Sequence, residues 1–236
     1  MFDRSAHLYD RIYGFKDYEQ EAHDLVTVVR DRNPGASSLL DVACGTGEHL
    51  RLVQPAFEHV EGVDVEPDML AIARAKLRDV VFTEADMRTL DLGRTFDAVT
   101  CLFSSVGYMA DVGQLCAAIA RMAAHLAPGG VLVIDGWIRP DAWHPGNNVM
   151  AQAETDEETA VARVVRSRRD GNRTHLEMRY LVATSDGFDT IEETHVLTLF
   201  GDEDYRAAFA AAGLEAEVVP GPMGPDRDRY VAARPP

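Results

Sequence analysis

The sequence predicts one α/β domain over residues 1–236: a mostly parallel sheet flanked by helices, with an antiparallel β layer inserted late in the chain. Three observations carry this. An apolar run, Leu39–Val42, ends in two closely spaced glycines, Gly45 and Gly47. Two further short apolar runs end in carboxylates, at Asp64 and at Glu84–Asp86. Between about residues 140 and 200 the βα rhythm gives way to alternating polar and apolar residues, the period of two that a half-buried strand requires.

Taken in order, residues 17–32 carry Tyr18, Ala22, Leu25, Val26 and Val29 at helical spacing. The segment before them is rich in Tyr9, Tyr13 and Phe15, so residues 1–35 are expected to form a lid over the carboxyl edge of the sheet. The first strand turns through Ala43-Cys44-Gly45-Thr46-Gly47 into a helix. Glycine tolerates positive φ and has no Cβ, so a loop built on Gly45 and Gly47 lets the backbone approach a nucleoside or an amino-acid group closely. On its own this pair also fits a plain strand–helix turn.

His59–Asp64 reads as the second strand. Its terminal acid lies roughly 20 residues beyond the glycines, where such a sheet presents a carboxylate to ribose hydroxyls; a solvated turn is the alternative. After a helix over 67–77, the strand Val80–Phe82 leads to Asp86 and Met87. That acid can accept from an exocyclic amine while Met87 lies against a ring, or Asp86 can be a helix N-cap. Strands follow at Ala98–Leu102 and Val131–Ile134, separated by a helix over 111–126 that closes on Pro128-Gly129-Gly130. Thr159–Val165, Thr174–Ala183 and Thr190–Phe200 then form a meander with turns at Asp170-Gly171-Asn172 and Asp186-Gly187. This layer, within 140–200, is where substrate recognition is expected. A last helix spans 202–212 and ends at Gly213.

Composition excludes several classes. At 236 residues and 46% hydrophobic content the chain can bury a sizeable core. Its 23 basic and 39 acidic residues, net −16, argue against a nucleic-acid or anionic-membrane partner, since both demand a basic surface. Charges throughout the first twenty residues, and the lack of an apolar run of about 18, argue against export and membrane insertion, so a cytoplasmic location is expected. Cys44, Cys101 and Cys116 read as reduced core residues. No histidine pair stands at metal-ligand spacing, and no metal is expected.

The order D-V-A-C-G-T-G, G-V-D and A-D-M resembles the class I S-adenosylmethionine-dependent methyltransferases with their Rossmann-like fold. A dinucleotide dehydrogenase would more usually carry a third glycine near the positions of His49 and Leu50. The segments outside the cofactor motifs narrow the resemblance. Leu8-Tyr9-Asp10, Lys16-Asp17-Tyr18, Asp86-Met87-Arg88, Phe103-Ser104-Ser105-Val106-Gly107-Tyr108 and Thr198-Leu199-Phe200 look like the N,N-dimethyltransferases that finish dTDP-linked amino sugars of the desosamine and mycaminose type in antibiotic pathways. The likeness covers nearly the whole chain.

The resemblance implies an S-adenosyl-L-methionine site lined by Tyr18, Ala43, Gly45, Asp64, Asp86, Met87 and Leu102, with Gly47 completing the loop. It implies that Tyr9, Tyr108, Asp135, Trp137, Arg169 and Arg227 face a nucleotide sugar. The residues leave alternatives open. Arg227 sits in the charge-alternating run Asp226–Arg229 and reads equally as a solvated loop. Tyr9 fits lid packing, and Trp137 fits a cap on the core. The family's E-P-W-W-F-P run is here Asp135-Gly136-Trp137-Ile138-Arg139-Pro140, with a shorter carboxylate and one indole fewer, and the approach to Arg227 differs; both departures fall where the hexose should sit. The chemistry implied is direct displacement by the sugar amine, driven by alignment and exclusion of water, with Tyr108 or Asp135 orienting the amine or passing on its proton without being an indispensable base. A sugar O-methyltransferase or a non-catalytic S-adenosylmethionine-binding regulator would keep the cofactor motifs. Apolar positions of the meander could pack internally or form a homodimer contact.

Overall fold

The computed structural model describes residues 5–144 and 149–236; residues 1–4 of the expected lid and 145–148 of the expected insertion lie outside them. A short helix α1 (Tyr9–Ile12) precedes α2 (Tyr18–Arg32), whose first turn is capped by the Asp17 side chain accepting from the Gln20 N–H at 2.9 Å. The chain then alternates β1 (Ser38–Val42), α3 (Glu48–Val53), β2 (His59–Asp64), α4 (Pro67–Lys76), β3 (Val81–Glu84), β4 (Phe96–Cys101), α5 (Val112–Ala124) and β5 (Leu126–Asp135). Four long strands follow, β6 (Val149–Thr155), β7 (Thr159–Asp170), β8 (Arg173–Thr184) and β9 (Gly187–Thr198), and then α6 (Asp202–Ala211), β10 (Glu217–Pro220) and β11 (Asp228–Ala233).

Seven strands make one sheet in the order β10-β11-β5-β4-β1-β2-β3. Its five central and right-hand strands pair in parallel, and β11 and β10 complete the edge antiparallel to β5. The central strands are apolar on both faces because helices cover both. Val99, Leu132 and Ile134 pack on one side with Leu115, Ile119 and Phe209, and Leu39, Val131 and Val133 on the other with Leu25, Val29 and Leu70. The chain order reverses between β1 and β4, so the crevice at their carboxyl ends is the switch point where an open α/β sheet binds ligands.

The second sheet, β6-β7-β8-β9, is an antiparallel meander. Its strands run longer than their expected spans because the alternation persists through charged residues: Val161, Arg163 and Val165 face inward while Val164, Arg166 and Arg168 are exposed. The inward face meets Leu8 and Ile12, which places the N-terminal segment between the two sheets.

Three elements were not anticipated: β6, β10 and β11. The run Asp226–Arg229, for which a solvated loop was one of two open readings, leads into β11, where Arg229 is buried. The Pro128–Gly130 turn lies inside β5. Pairing jumps there from Phe96 with Leu126 to Ala98 with Val131, and Gly129 takes φ +74° to make the bulge.

Candidate active site

Between β1 and α3 the backbone turns left-handed three times, at Ala43 (φ 61°), Gly45 (φ 55°) and Gly47 (φ 77°). The two glycines do different work. A Cβ at Gly45 would meet nothing within 4 Å, so its surface is open to a ligand. A Cβ on Gly47 would come 3.3 Å from the Cβ of Ala73; this glycine lets α3 pack on α4 and does not line the crevice. Asp64, at the end of β2, steadies the loop by accepting from the Gly45 N–H at 2.8 Å and the Glu66 N–H at 2.9 Å. Burial raises its carboxyl above the ordinary range.

A cavity of about 320 Å³ opens above this loop, lined by Ala43, Gly45, Asp64, Asp86 and Met87, and also by Tyr9 and Tyr108. Asp86 accepts from the Arg88 N–H at 2.8 Å and from its guanidinium, which holds the carboxyl below its usual value. A smaller cavity of about 40 Å³ continues past Gly45 and is lined by Tyr18, Leu102 and His49. Thus every expected cofactor residue except Gly47 lies on one continuous groove. The groove fits S-adenosylmethionine: carboxylates at Asp64 and Asp86 flank the thioether of Met87 where a nucleoside would lie, and the bare Gly45 leaves room for the tail.

Lys16, which was not singled out for a role, seals this end. It is buried 3.0 Å from Glu21, and its ammonium lies 3.5 Å from the centre of the Phe103 ring and 4.6 Å from that of Tyr18. Burial lowers its pKa. The Phe103 ring is aimed there by two successive left-handed residues, Phe103 (φ 54°) and Ser104 (φ 65°). Non-glycine residues in this region cost on the order of 1–3 kcal/mol each and need bracing. The braces are the Asp135 carboxylate, accepting from the Phe103 N–H at 3.1 Å, and the Ser104 hydroxyl, donating to the Gly136 carbonyl at 2.7 Å.

A second cavity, about 260 Å³, lies between this edge and the meander. Tyr9, Ser105 and Tyr108 line both cavities. Trp137 and Arg227 line the second. The Trp137 indole donates to the Thr174 hydroxyl at 3.0 Å, and the Arg227 guanidinium lies 4.2 Å over its ring. Burial pulls the Arg227 pKa from 12.5 down to about 10, which leaves it charged at neutral pH.

Two expected substrate residues are placed otherwise. Asp135 lines neither cavity: Arg229 donates to its carboxylate at 2.7 and 3.3 Å, and Phe103 takes what remains. Arg169 is exposed at a hairpin end, where it donates to the carbonyls of Gly171 (2.8 Å) and Pro140 (2.7 Å). Besides Arg227, the cavity is faced by the guanidinium of Arg163, buried on β7 and stacked 4.8 Å from the centre of Tyr13. It donates to the Gln152 side chain at 3.0 Å, and its Nε has no hydrogen-bond partner among the described residues. Its inward place in the alternation was the available signal. The indole missing after β5 has a counterpart in Trp143, which lines the same cavity. His195 was also passed over; its Nδ1 is 2.6 Å from the Tyr108 hydroxyl.

Comparison with known proteins agrees with this geometry. Residues 39–130 match the family model described as a methyltransferase domain. With the groove above, they define a class I S-adenosylmethionine-dependent methyltransferase. The chain is 48% identical over 219 residues to the dTDP-3-amino-3,6-dideoxy-alpha-D-glucopyranose N,N-dimethyltransferase of Streptomyces fradiae, covering 92% of this chain and 86% of that one. It is 38% identical over 218 residues to the dTDP-4-amino-2,3,4,6-tetradeoxy-D-glucose N,N-dimethyltransferase of Saccharopolyspora spinosa, covering 92% and 87%. The crystal structure of Streptomyces venezuelae DesVI superposes with a TM-score of 0.92 at 42% identity over 98% of both chains. CalS10, an amino pentose methyltransferase from Micromonospora echinaspora solved with S-adenosylmethionine bound, superposes with a TM-score of 0.87 at 44% identity over 96% of both. The chain belongs to the family of sugar N,N-dimethyltransferases, and its methyl donor is S-adenosylmethionine.

Proposed function

We propose that this enzyme methylates the amino group of a dTDP-linked amino deoxysugar, in two successive rounds, within antibiotic or other secondary-metabolite biosynthesis. The observation that carries the reading is the meeting of two cavities at Tyr9, Ser105 and Tyr108, one shaped for the methyl donor and the other walled by aromatic rings, the buried guanidinium of Arg163 and the half-buried one of Arg227. A nucleotide sugar needs such a pairing: rings for the base and sugar, and Arg163 and Arg227 for the diphosphate, which accepts paired hydrogen bonds from a guanidinium. The named relatives act on 3-amino and 4-amino sugars, so both amine positions belong to the candidate range.

S-adenosylmethionine supplies a methyl group already activated by a positively charged sulfur. The protein's share is to bring the amine into line and exclude water. Tyr9 and Tyr108 border both ligands, and the N-terminal segment, our lid, closes the junction through Tyr13 and Lys16. Within this reading Asp64 holds the ribose hydroxyls, Asp86 and Met87 the adenine, and Tyr18 and Leu102 the methionine end. Asp135 supports the reacting edge through Phe103 and does not touch the amine.

Among the described residues no helix is long and apolar enough to cross a membrane. With the net charge of −16, this supports work in the cytoplasm without a nucleic-acid partner. A homodimer contact would fall on the outer face of the meander, where Val164, Leu181 and Phe188 are exposed.

The test is mass analysis of products after incubation with S-adenosylmethionine and dTDP-3-amino or dTDP-4-amino sugars. One and then two added methyl groups on one sugar are expected. Cofactor binding with no methyl gain on any amine would overturn the reading in favour of an O-methyl acceptor.

A further inference from the structure

The Tyr108 hydroxyl, on the border of both cavities, ends a chain of buried polar groups. It lies 2.6 Å from Nδ1 of His195, whose Nε2 lies 3.5 Å from the Glu193 carboxylate. Glu193 is fixed in turn by Ser5, whose N–H donates at 3.1 Å and whose hydroxyl donates at 2.8 Å. His195 and Glu193 are buried on the inward face of β9. From this geometry we infer that His195 and Glu193 are positioning residues that orient the Tyr108 hydroxyl as a hydrogen-bond acceptor for the substrate amine, and that the second methylation depends on them more than the first.

The orientation follows from proton inventory. Burial alone would raise the Glu193 carboxyl, but the neighbouring His195 imidazole and the hydrogen bonds from Ser5 outweigh it and hold it below the ordinary value. In a neutral imidazole, an ionised carboxylate beside Nε2 favours the proton on that nitrogen, which leaves Nδ1 as an acceptor. The Tyr108 hydroxyl then donates to Nδ1. Burial raises its pKa, so it keeps that proton. Its oxygen lone pairs remain for the cavity, where the partner they can take is an N–H.

This inference rests on the amino-sugar reading above. A neutral primary amine that donates one N–H to the Tyr108 oxygen is held while its lone pair faces the methyl carbon. The N–C bond forms as the C–S bond breaks, the electron pair stays on sulfur, and the extra proton on nitrogen leaves to water. A primary amine has two N–H groups that can serve this contact. The monomethyl intermediate has one, so its geometry depends wholly on the acceptor, and the dimethyl product has none and loses its hold.

The experiment pairs kinetics with a spectrum. Tyr108→Phe and His195→Leu are expected to slow the second methylation by about 3- to 10-fold more than the first, the range of a single lost hydrogen bond, so that monomethyl sugar accumulates. His195→Asn, whose amide oxygen can stand where Nδ1 stood, should restore the wild-type ratio of products; thermal melts check that each variant is folded. Equal slowing of both steps in Tyr108→Phe, which keeps the ring and removes only the hydroxyl beside His195, would overturn the inference. Independently of turnover, nitrogen-15 spectra of the wild-type imidazoles at neutral pH should show His195 protonated at Nε2 alone. Protonation at Nδ1, or at both nitrogens, would overturn it even if every sugar were dimethylated. Absence of turnover with a wild type of the expected tautomer would remove the amino-sugar reading and the product-ratio claim with it, leaving the tautomer as found.

Discussion

Arg229 and Asp135 form a buried ion pair at 2.7 Å across the antiparallel junction of β11 and β5, where they are direct register partners. One oxygen of the same carboxylate also accepts from the Phe103 N–H. A charge pair in the sheet thereby braces the left-handed turn that carries the reacting edge. Removing one partner leaves the other charge buried and alone, so Arg229→Met is expected to cost about 3–5 kcal/mol of stability by urea denaturation. Asp135→Asn, which keeps an acceptor for Phe103, should lose stability while preserving turnover in the protein that remains folded. Loss of all turnover with both ligands still bound would mean that Asp135 acts on the substrate directly.

Asp41 predicts a pH dependence. Burial pushes its carboxyl from 3.8 up to about 6, against a 2.7 Å hydrogen bond from the Thr100 hydroxyl. Between these two values the folded chain holds a proton that the unfolded chain has lost. Asp41 therefore makes stability fall as pH rises through that window, by roughly 3 kcal/mol once the pH exceeds both values. Denaturation midpoints of Asp41→Asn, compared with the parent from pH 4 to 8, should show the variant gaining relative stability across the window and holding the gain at pH 7. A constant difference between the two curves would count against the burial argument.

Gly45→Ala should separate binding from stability. Its φ of 55° costs a side chain about 1–2 kcal/mol, and no protein atom stands within 4 Å to add a clash. The added methyl group projects over the donor groove. Calorimetry should therefore show S-adenosylmethionine affinity falling by at least tenfold, with only a modest drop in melting temperature. Unchanged affinity would place the cofactor elsewhere.

The two guanidiniums that line the second cavity predict a substrate effect. Arg163→Met and Arg227→Met are each expected to raise the KM for the sugar nucleotide by roughly 10- to 100-fold, the scale of a lost charge-assisted contact, with kcat much less affected. Arg169→Met, at the exposed hairpin end, should leave KM within about twofold. The reverse ranking in steady-state assays would restore Arg169 as the phosphate ligand.

The cofactor side of the site was legible because its signals are local. Gly45, Asp64, Asp86 and Met87 each stand within a few residues of a strand end, so strand periodicity and spacing are enough to bring them to one crevice. The substrate side depends on pairings that spacing does not encode. Asp135 has the same place at a strand end as Asp64, but Arg229, 94 residues later, occupies it. That partner was hidden because a run of alternating charge reads as solvated until a neighbouring strand supplies a counter-charge. Arg163 and Arg169 differ in sequence by an even number of positions and so fall on the same side of β7; what separates them is that one lies over the N-terminal aromatics and the other beyond the edge of the site. Trp143 and His195 reach the cavity through loop path and strand register, neither of which a single sequence reveals.

The two cavities are assembled from different kinds of chain. The donor groove draws chiefly on the continuous stretch from Asp41 to Met109, with Tyr9 and Tyr18 added from outside it, whereas the second cavity collects residues from Tyr9 to Arg227. A lineage can thus rebuild the acceptor roof, strand by strand and loop by loop, while the donor floor beneath it is left alone. Descendants of one such scaffold would be expected to diverge first in which sugar they accept and last in how they hold the methyl group.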